Sequence, residues 1–324
     1  MIKAFAVESG RLRPVDDLLQ HKDEVVWADL LAPSKAEEAL IEAWVGVGIP
    51  TREEMEEIEI SSRLYVENGA LFMTATLPAQ TDSDEPLMSP VTFALAGNRL
   101  ITVRYHEPRA FQTFPMRSEK VATGCVDGQT ILMGLLEAIV DRLADVLERV
   151  GRDIDALSQD IFQSAETKAF KRDRNFQRVL QTIGRKEGLA SDIRDSLMTL
   201  QRLSGFLGNA FVQDKNSKDL RARVKVLTRD VMSLTDHVSF LSQKITFLLD
   251  ATLGMINIEQ NGIIKIFSVA AVVFLPPTLV ASIYGMNFDV MPELNWAFGY
   301  PMALGLMVIS AVLPFWYFKR RGWL

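Results

Sequence analysis

Apolar residues recur at two different periods along this chain, and the change of period divides it. Ahead of residue 125 the pattern is short and mixed. Ile2 to Val7 and Val25 to Leu31 read as strands. Arg63 to Val66 and Ala70 to Leu77 flank Asn68-Gly69, while Val91 to Leu95 and Leu100 to Tyr105 flank Gly97-Asn98. Both dipeptides are hairpin turns with apolar arms. Ser34 with Glu37 and Thr51 with Glu54 have capping-box spacing, so helices are expected to start there, the first running toward Trp44. Residues 1–125 are expected to form an α/β domain.

From about Thr130 the period becomes helical. Leu132, Leu136, Ile139, Leu143, Val146 and Val150 alternate steps of four and three, and Ile154, Leu157 and Ile161 continue the stripe after one stutter. A second helical stretch runs from about Asn175 to Leu207, and a polar link from Gln213 to Asp219 precedes a third. There Leu220, Val224, Leu227, Val231, Leu234, Val238, Leu241, Ile245 and Leu248 keep a strict heptad, with Thr252 and Met255 in phase. No proline interrupts before Pro276, so one helix of about 65 residues and about 100 Å is predicted from Asp219 onward. One chain offers little cover for so long a seam. The heptad therefore predicts self-association or a long helical hairpin, and residues 126–262 are expected to form a helical region and coiled-coil stalk.

Two uncharged stretches end the chain, Ile266 to Tyr284 and Pro301 to Phe318. Each is long enough to cross a hydrocarbon core of about 30 Å. A membrane domain is thus expected over 263–324, with spans at about 263–284 and 300–318, a loop at 285–299 and a basic tail at 319–324. Trp296, Tyr300, Trp316, Tyr317 and Trp323 gather at the ends of the second span, where interfacial aromatics belong. Lys319-Arg320-Arg321 follows that span directly, and the loop has no Lys or Arg. The positive-inside rule then places the C-terminus in the cytoplasm, the loop outside, and the N-terminal domain in the cytoplasm too. Met1 to Ser9 has no cleavable apolar core, so that domain is expected to stay where it is made.

One face of the first span carries Ala271, Thr278 and Ser282, against Val272, Val273, Leu279 and Val280 elsewhere. Small and polar groups inside hydrocarbon either pack helices or line a water path, and periodicity leaves both readings open. Pro276-Pro277 removes two backbone donors and should loosen the helix.

Charge narrows the function. The first 262 residues hold 31 basic and 39 acidic side chains, a formal charge of −8, which argues against nucleic acid and suits cations. Cys125 is the lone cysteine, so no internal disulfide forms. His21, His106 and His237 stand apart along the chain and are expected at the surface or hydrogen-bonded. No phosphate loop, zinc spacing or nucleophile elbow occurs, so no enzyme and no cofactor is expected. Glu137, Asp141, Asp145 and Glu148 share a helix face. They read either as a solvated face paired with Arg142 and Arg149, or as low-affinity Mg²⁺ sites.

The turn between the spans carries Gly285-Met286-Asn287, followed by Met291-Pro292-Glu293-Leu294, Phe298-Gly299-Tyr300-Pro301 and the tail Lys319-Arg320-Arg321-Gly322-Trp323-Leu324. In these motifs the chain resembles the CorA family of divalent-cation channels, closely from about Phe247 to Leu324. The resemblance implies a funnel-shaped homopentamer in the cell inner membrane, with an all-α membrane part. It would pass Mg²⁺, and with it Co²⁺ and Ni²⁺. The resemblance puts Asn261, Ile264, Phe267, Leu275, Thr278, Ser282 and Asn287 on the conduction axis, with Ile264, Phe267 and Leu275 as apolar gates. Asp289 and Glu293 would add negative field outside the mouth. Cytoplasmic Mg²⁺ sensing is also implied, but counting back from Asn287 puts the family's regulatory aspartate near Val226, which is no ligand. Asp230 and Asp236 are the nearby candidates. Two alternatives stay open: a zinc transporter of the same superfamily, whose members show Gly-Ile-Asn at the motif, and a non-conducting membrane-anchored coiled-coil scaffold.

Overall fold

A computed structural model describes residues 1–83, 85–163, 169–212, 218–287, 289 and 291–322. It divides into two compact units, Met1–Leu249 and Asp250–Leu324.

The first unit opens with a seven-stranded sheet in the order β2-β1-β3-β7-β6-β5-β4. Its strands are β1 (Ile2–Glu8), β2 (Arg11–Val15), β3 (Val25–Leu31), β4 (Leu64–Glu67), β5 (Ala70–Ala79), β6 (Leu87–Ala96) and β7 (Arg99–Arg104). Only β3 and β7 pair in parallel; the other neighbours are antiparallel. Both expected hairpins form. Asn68 (φ 49°) and Gly69 (φ 80°) are both left-handed, as a type I′ turn requires. At the second turn Gly97 (φ 57°) supplies the positive φ at the first central position. The edge strand β2 has no sequence signal. Its Arg-Leu-Arg-Pro-Val run is too polar to show an apolar alternation, and the turn before it rests on Ser9 (φ 52°) and Gly10 (φ 76°).

Both capping boxes start helices. Ser34 Oγ accepts from the Glu37 amide (3.4 Å) and the Glu37 carboxylate accepts from the Ser34 amide (2.9 Å), opening α1 (Lys35–Val45). Thr51 and Glu54 do the same for α2 (Arg52–Glu56). A short α3 (Ile60–Arg63) follows. Together with the sheet they bury Ile41, Met55, Leu30, Ile101 and Val103. On the other face Trp27 stacks on Phe5 at 4.7 Å and meets Phe111 and Phe114 of α4 (Ala110–Lys120). The sequence gives no helical signal for α4, which contains Pro115.

A polar network crosses this core. Trp27 Nε1 donates to Thr102 Oγ1 (3.1 Å), whose hydroxyl donates to Asp29 (2.8 Å). Arg104 makes a fork of two bonds to the same carboxylate, at 3.0 and 2.7 Å, and gives a third to the His106 carbonyl at 2.8 Å. Asp29 and Arg104 are fully buried, so the bidentate pairing and third bond are what make the pair tolerable there. His106 is buried as well and its Nε2 meets the Leu77 carbonyl at 2.8 Å; burial pushes its pKa down.

Three long helices complete the first unit, α5 (Gly128–Gln163), α6 (Ala169–Val212) and α7 (Lys218–Tyr284), and α7 alone continues past Leu249 into the second. The expected polar link falls largely on 213–217, outside the described residues. At 67 residues α7 matches the length expected, and it runs unbroken across residue 262. The cover for its heptad differs from the expectation that one chain offers too little. Leu220, Val224, Leu227, Val231, Val238, Leu241, Ile245 and Leu248 are buried within a single chain, and Leu234 is half-buried. Helices α5 and α6 supply the cover. A methyl added at Gly151 of α5 would meet Leu241 at 3.7 Å, and one at Gly208 of α6 would meet Val224 at 3.7 Å. Arg194 of α6 donates to Ser242 at 2.7 Å. The long-hairpin reading of the heptad is therefore the one realised, and covering this seam needs no second copy.

The second unit holds the remainder of α7, a 3₁₀ turn (Pro292–Asn295) and α8 (Gly299–Arg320). Phe288, Val290, Trp323 and Leu324 lie outside the described residues, as does the side chain of Glu293.

Candidate functional site

The membrane-length part of α7 has a mean hydropathy of 2.2 over its most apolar 18 residues, and α8 reaches 1.7. Among the described residues of 263–284 and 299–320, only Val269 and Ala303 are buried. Large apolar side chains are thus exposed on all sides of both helices, an arrangement water would oppose and hydrocarbon would accept.

On α7 the candidates Asn261, Ile264, Phe267, Leu275, Thr278 and Ser282 fall within about 120° of one face, at 100° per residue. All six are exposed. Thr278 donates its hydroxyl proton to the carbonyls of Phe274 and Leu275, the latter at 3.0 Å. What Thr278 has left to offer outward is lone pairs, so it acts as an acceptor. Pro276 and Pro277 lie within the helix and withhold the amide donors that the Val272 and Val273 carbonyls would otherwise receive.

The helix closes through Gly285, whose amide donates to the Ala281 carbonyl (2.9 Å), and Met286, whose amide reaches Ile283 (3.2 Å). Gly285 is not in the left-handed region. Its requirement is space, since an added Cβ would sit 3.1 Å from the Ala281 oxygen. Gly285, Met286 and Asn287 are all exposed, and Asp289 is exposed beyond them. Glu293 stands in the 3₁₀ turn that leads to α8.

The acidic candidates lie in the first unit. Glu137 on α5 is held by Arg223 of α7 in a bidentate pair, 2.9 and 2.8 Å. Partial burial, then the charges of Asp145 and Glu137, push the Asp141 carboxyl up; Arg117 opposes this and Asp230 adds to it. Glu137, Asp141, Asp145 and Asp230 therefore form one electrostatic group. Glu148 instead pairs with Arg152 at 3.6 Å, and Asp236 is exposed on α7. A cavity of about 610 Å³ lies beside Glu137, Asp141, Asp145 and Arg117. Among the described residues of this single chain, no three His, Cys, Asp or Glu groups converge as a metal site would need.

The partners foreseen for this face are engaged elsewhere. Arg142 and Arg149 both bind Asp82 in the β5–β6 loop, with Arg109 as a third cation on the same carboxylate. The Arg149 hydrogen bond first, and then the charges of Arg142 and Arg149, hold the Asp82 carboxyl below its usual range against the opposing effect of partial burial. Arg223, Arg117 and Asp82 were not singled out in the sequence. Nothing in a run of isolated charges shows which will meet across two helices.

The raised pKa of Asp141 has a consequence for stability. Its ionised form is disfavoured in the folded state, so stability falls as pH rises from the unfolded value near 3.9 through the folded one. In EDTA, Asp141→Asn is expected to raise the melting temperature at pH 7 and change it little at pH 4. Equal shifts at both pH values would contradict the charge account.

Comparison with known proteins adds an independent finding. A family model described as CorA-like Mg2+ transporter protein matches residues 22–320. This chain belongs to the CorA-like Mg²⁺ transporter family. It is 39% identical over 325 residues to the magnesium transport protein CorA of Pasteurella multocida (strain Pm70), covering all of both chains. With the magnesium transport protein CorA of Salmonella typhimurium (strain LT2) it shares 37% over 327 residues, again all of both chains. The complete structure of the CorA magnesium transporter from Methanocaldococcus jannaschii superposes with a TM-score of 0.78 at 19% identity, covering 100% of this chain and 99% of that one. A CorA fold is thus shared from the sheet to α8, well beyond the stretch from Phe247 onward where the motifs resemble the family.

Proposed function

We propose that this protein is the subunit of a homopentameric channel in the cell inner membrane, with both termini cytoplasmic, that admits Mg²⁺ and also Co²⁺ and Ni²⁺. One observation carries the reading: the exposed Gly285-Met286-Asn287 turn closes a 67-residue helix whose exposed face bears Thr278 and Ser282. Two charges moving inward gain about 4.6 kcal/mol per 100 mV, so no coupled energy source is required.

The chemistry of the mouth suits a hydrated ion. Mg²⁺ sheds its six waters reluctantly, so a site that strips them would be slow. A ring of Asn287 amide oxygens accepts hydrogen bonds from the water shell instead, without the charge that would trap the ion. Thr278, with its proton committed to the backbone, offers the same acceptor chemistry deeper in the path. Asp289 and Glu293 raise the local cation concentration outside. Asp141, Asp145, Asp230 and Asp236 remain the candidates for cytoplasmic sensing, completed by carboxylates of another copy; Glu137 and Glu148 enter it only by releasing Arg223 and Arg152.

Ile264, Phe267 and Leu275 are exposed on the same face and gate by excluding liquid water. Leu275→Asn is expected to wet that constriction, so that conductance persists at millimolar internal Mg²⁺. A variant as fully inhibited as wild type would place closure elsewhere. The function itself is tested by expression in a bacterium stripped of its Mg²⁺ uptake systems. Growth at low Mg²⁺ supports the reading, and absence of growth with the protein present in the membrane counts against it.

A further inference from the structure

The end of α8 is built more firmly than a trailing tail requires. The Arg321 amide donates to the Tyr317 carbonyl at 3.1 Å, and the Gly322 amide reaches Lys319 at 3.2 Å with Gly322 in the left-handed region (φ 72°). This closure holds Lys319, Arg320 and Arg321 at the helix end. Arg320 lies over the ring of Trp316, one turn earlier, with 4.6 Å from guanidinium carbon to centroid. Arg321 lies over Tyr317 in the same way at 5.3 Å. Trp316 and Tyr317 are themselves exposed.

None of the three cations has a carboxylate partner among the described residues. A guanidinium stacked on a ring has one face covered and its N–H edge free, in the plane that suits a bidentate oxyanion. Trp and Tyr at the end of a span sit at headgroup depth, which is where that edge would then lie.

We propose that Lys319, Arg320 and Arg321, with Trp316 and Tyr317 as platforms, form a binding site for the phosphodiester headgroup of an anionic lipid of the leaflet at the C-terminal end of α8. The proposal rests on the reading of α8 as a membrane span, but does not require that the protein conduct ions. The lipid is favoured over a soluble anion because the platforms place the cations at headgroup depth and the helix below them is apolar over its whole length.

Native mass spectrometry of the full-length protein in detergent tests this. Phosphatidylglycerol and phosphatidylcholine with the same acyl chains are added separately, with and without millimolar inorganic phosphate. Phosphatidylglycerol adducts should exceed phosphatidylcholine adducts, and Arg320→Gln with Arg321→Gln should reduce the excess by about tenfold. Arg320→Lys with Arg321→Lys keeps the charge but loses the stacked fork, and should lose part of the preference. Both double variants must elute at the wild-type position on size exclusion, as expected for exposed side chains at a helix end. Equal adducts of the two lipids overturn the site, as does a preference that survives the Gln variants. Displacement by inorganic phosphate would identify a soluble-anion site instead, and a preference fully kept by the Lys variant would overturn the stacked geometry. A protein inactive in Mg²⁺ uptake yet selective for phosphatidylglycerol would refute the proposed function and leave this inference standing.

Discussion

Replacing Asn287 by Ala is expected to abolish Mg²⁺ uptake while the protein remains folded and inserted. The side chain is exposed beyond the last turn of α7, so its loss removes no packing. On the proposed function, what would disappear is one amide acceptor per subunit at the mouth. At about 1 kcal/mol for each hydrogen bond to the ion's water shell, a ring of such losses should lower uptake at least about a hundredfold. Uptake of isotopic Mg²⁺, with membrane-fraction immunoblots as the control for insertion, reads the two effects separately. Wild-type uptake in Asn287→Ala would show that this residue does not select the ion.

The second large effect lies in the first unit. Val231 is 0% exposed in the seam of α7. Asp at this position places an unpaired carboxylate among apolar side chains of α5 and α6, at a cost of several kcal/mol, roughly 4. For a unit of this size that corresponds to a fall in melting temperature of about 10 °C. Val226 lies on the same helix but is exposed, so Val226→Asp is the matched control and should change little. The melting of full-length protein in detergent decides the matter. If Val231→Asp left the melting temperature alone and only dissociated the oligomer, the seam would be covered by another copy rather than by its own chain.

That second prediction marks the boundary of what the chain reveals locally. Signals that act over a few residues were legible. The Asn68-Gly69 and Gly97-Asn98 turns, the Ser34 and Thr51 caps, the length of α7 and the two apolar spans all come from local backbone chemistry or unbroken periodicity. The heptad showed that a seam exists but not what covers it, because Leu241 looks the same whether it meets Gly151 of its own chain or a second copy. Strand β2 and helix α4 were missed because Pro14 and Pro115 interrupt patterns already rich in charge. The membrane candidates were legible through Gly285-Met286-Asn287 and helical spacing. The pairings of the acids in the first unit were not. Glu137 with Arg223 and Asp82 with three arginines join residues tens of positions apart, and the charge pattern along one helix carries no record of them.

The central claim is conduction of Mg²⁺ through a path that ends at Asn287, and its most direct test is flux into sealed liposomes containing only the purified protein. With an inside-negative potential, Mg²⁺ entry is expected from wild type and lost in Asn287→Ala, with Zn²⁺ entering far more slowly than Mg²⁺. Liposomes that admit no divalent cation would identify a scaffold, and liposomes that admit Zn²⁺ in preference to Mg²⁺ would identify a zinc transporter; either result contradicts the account.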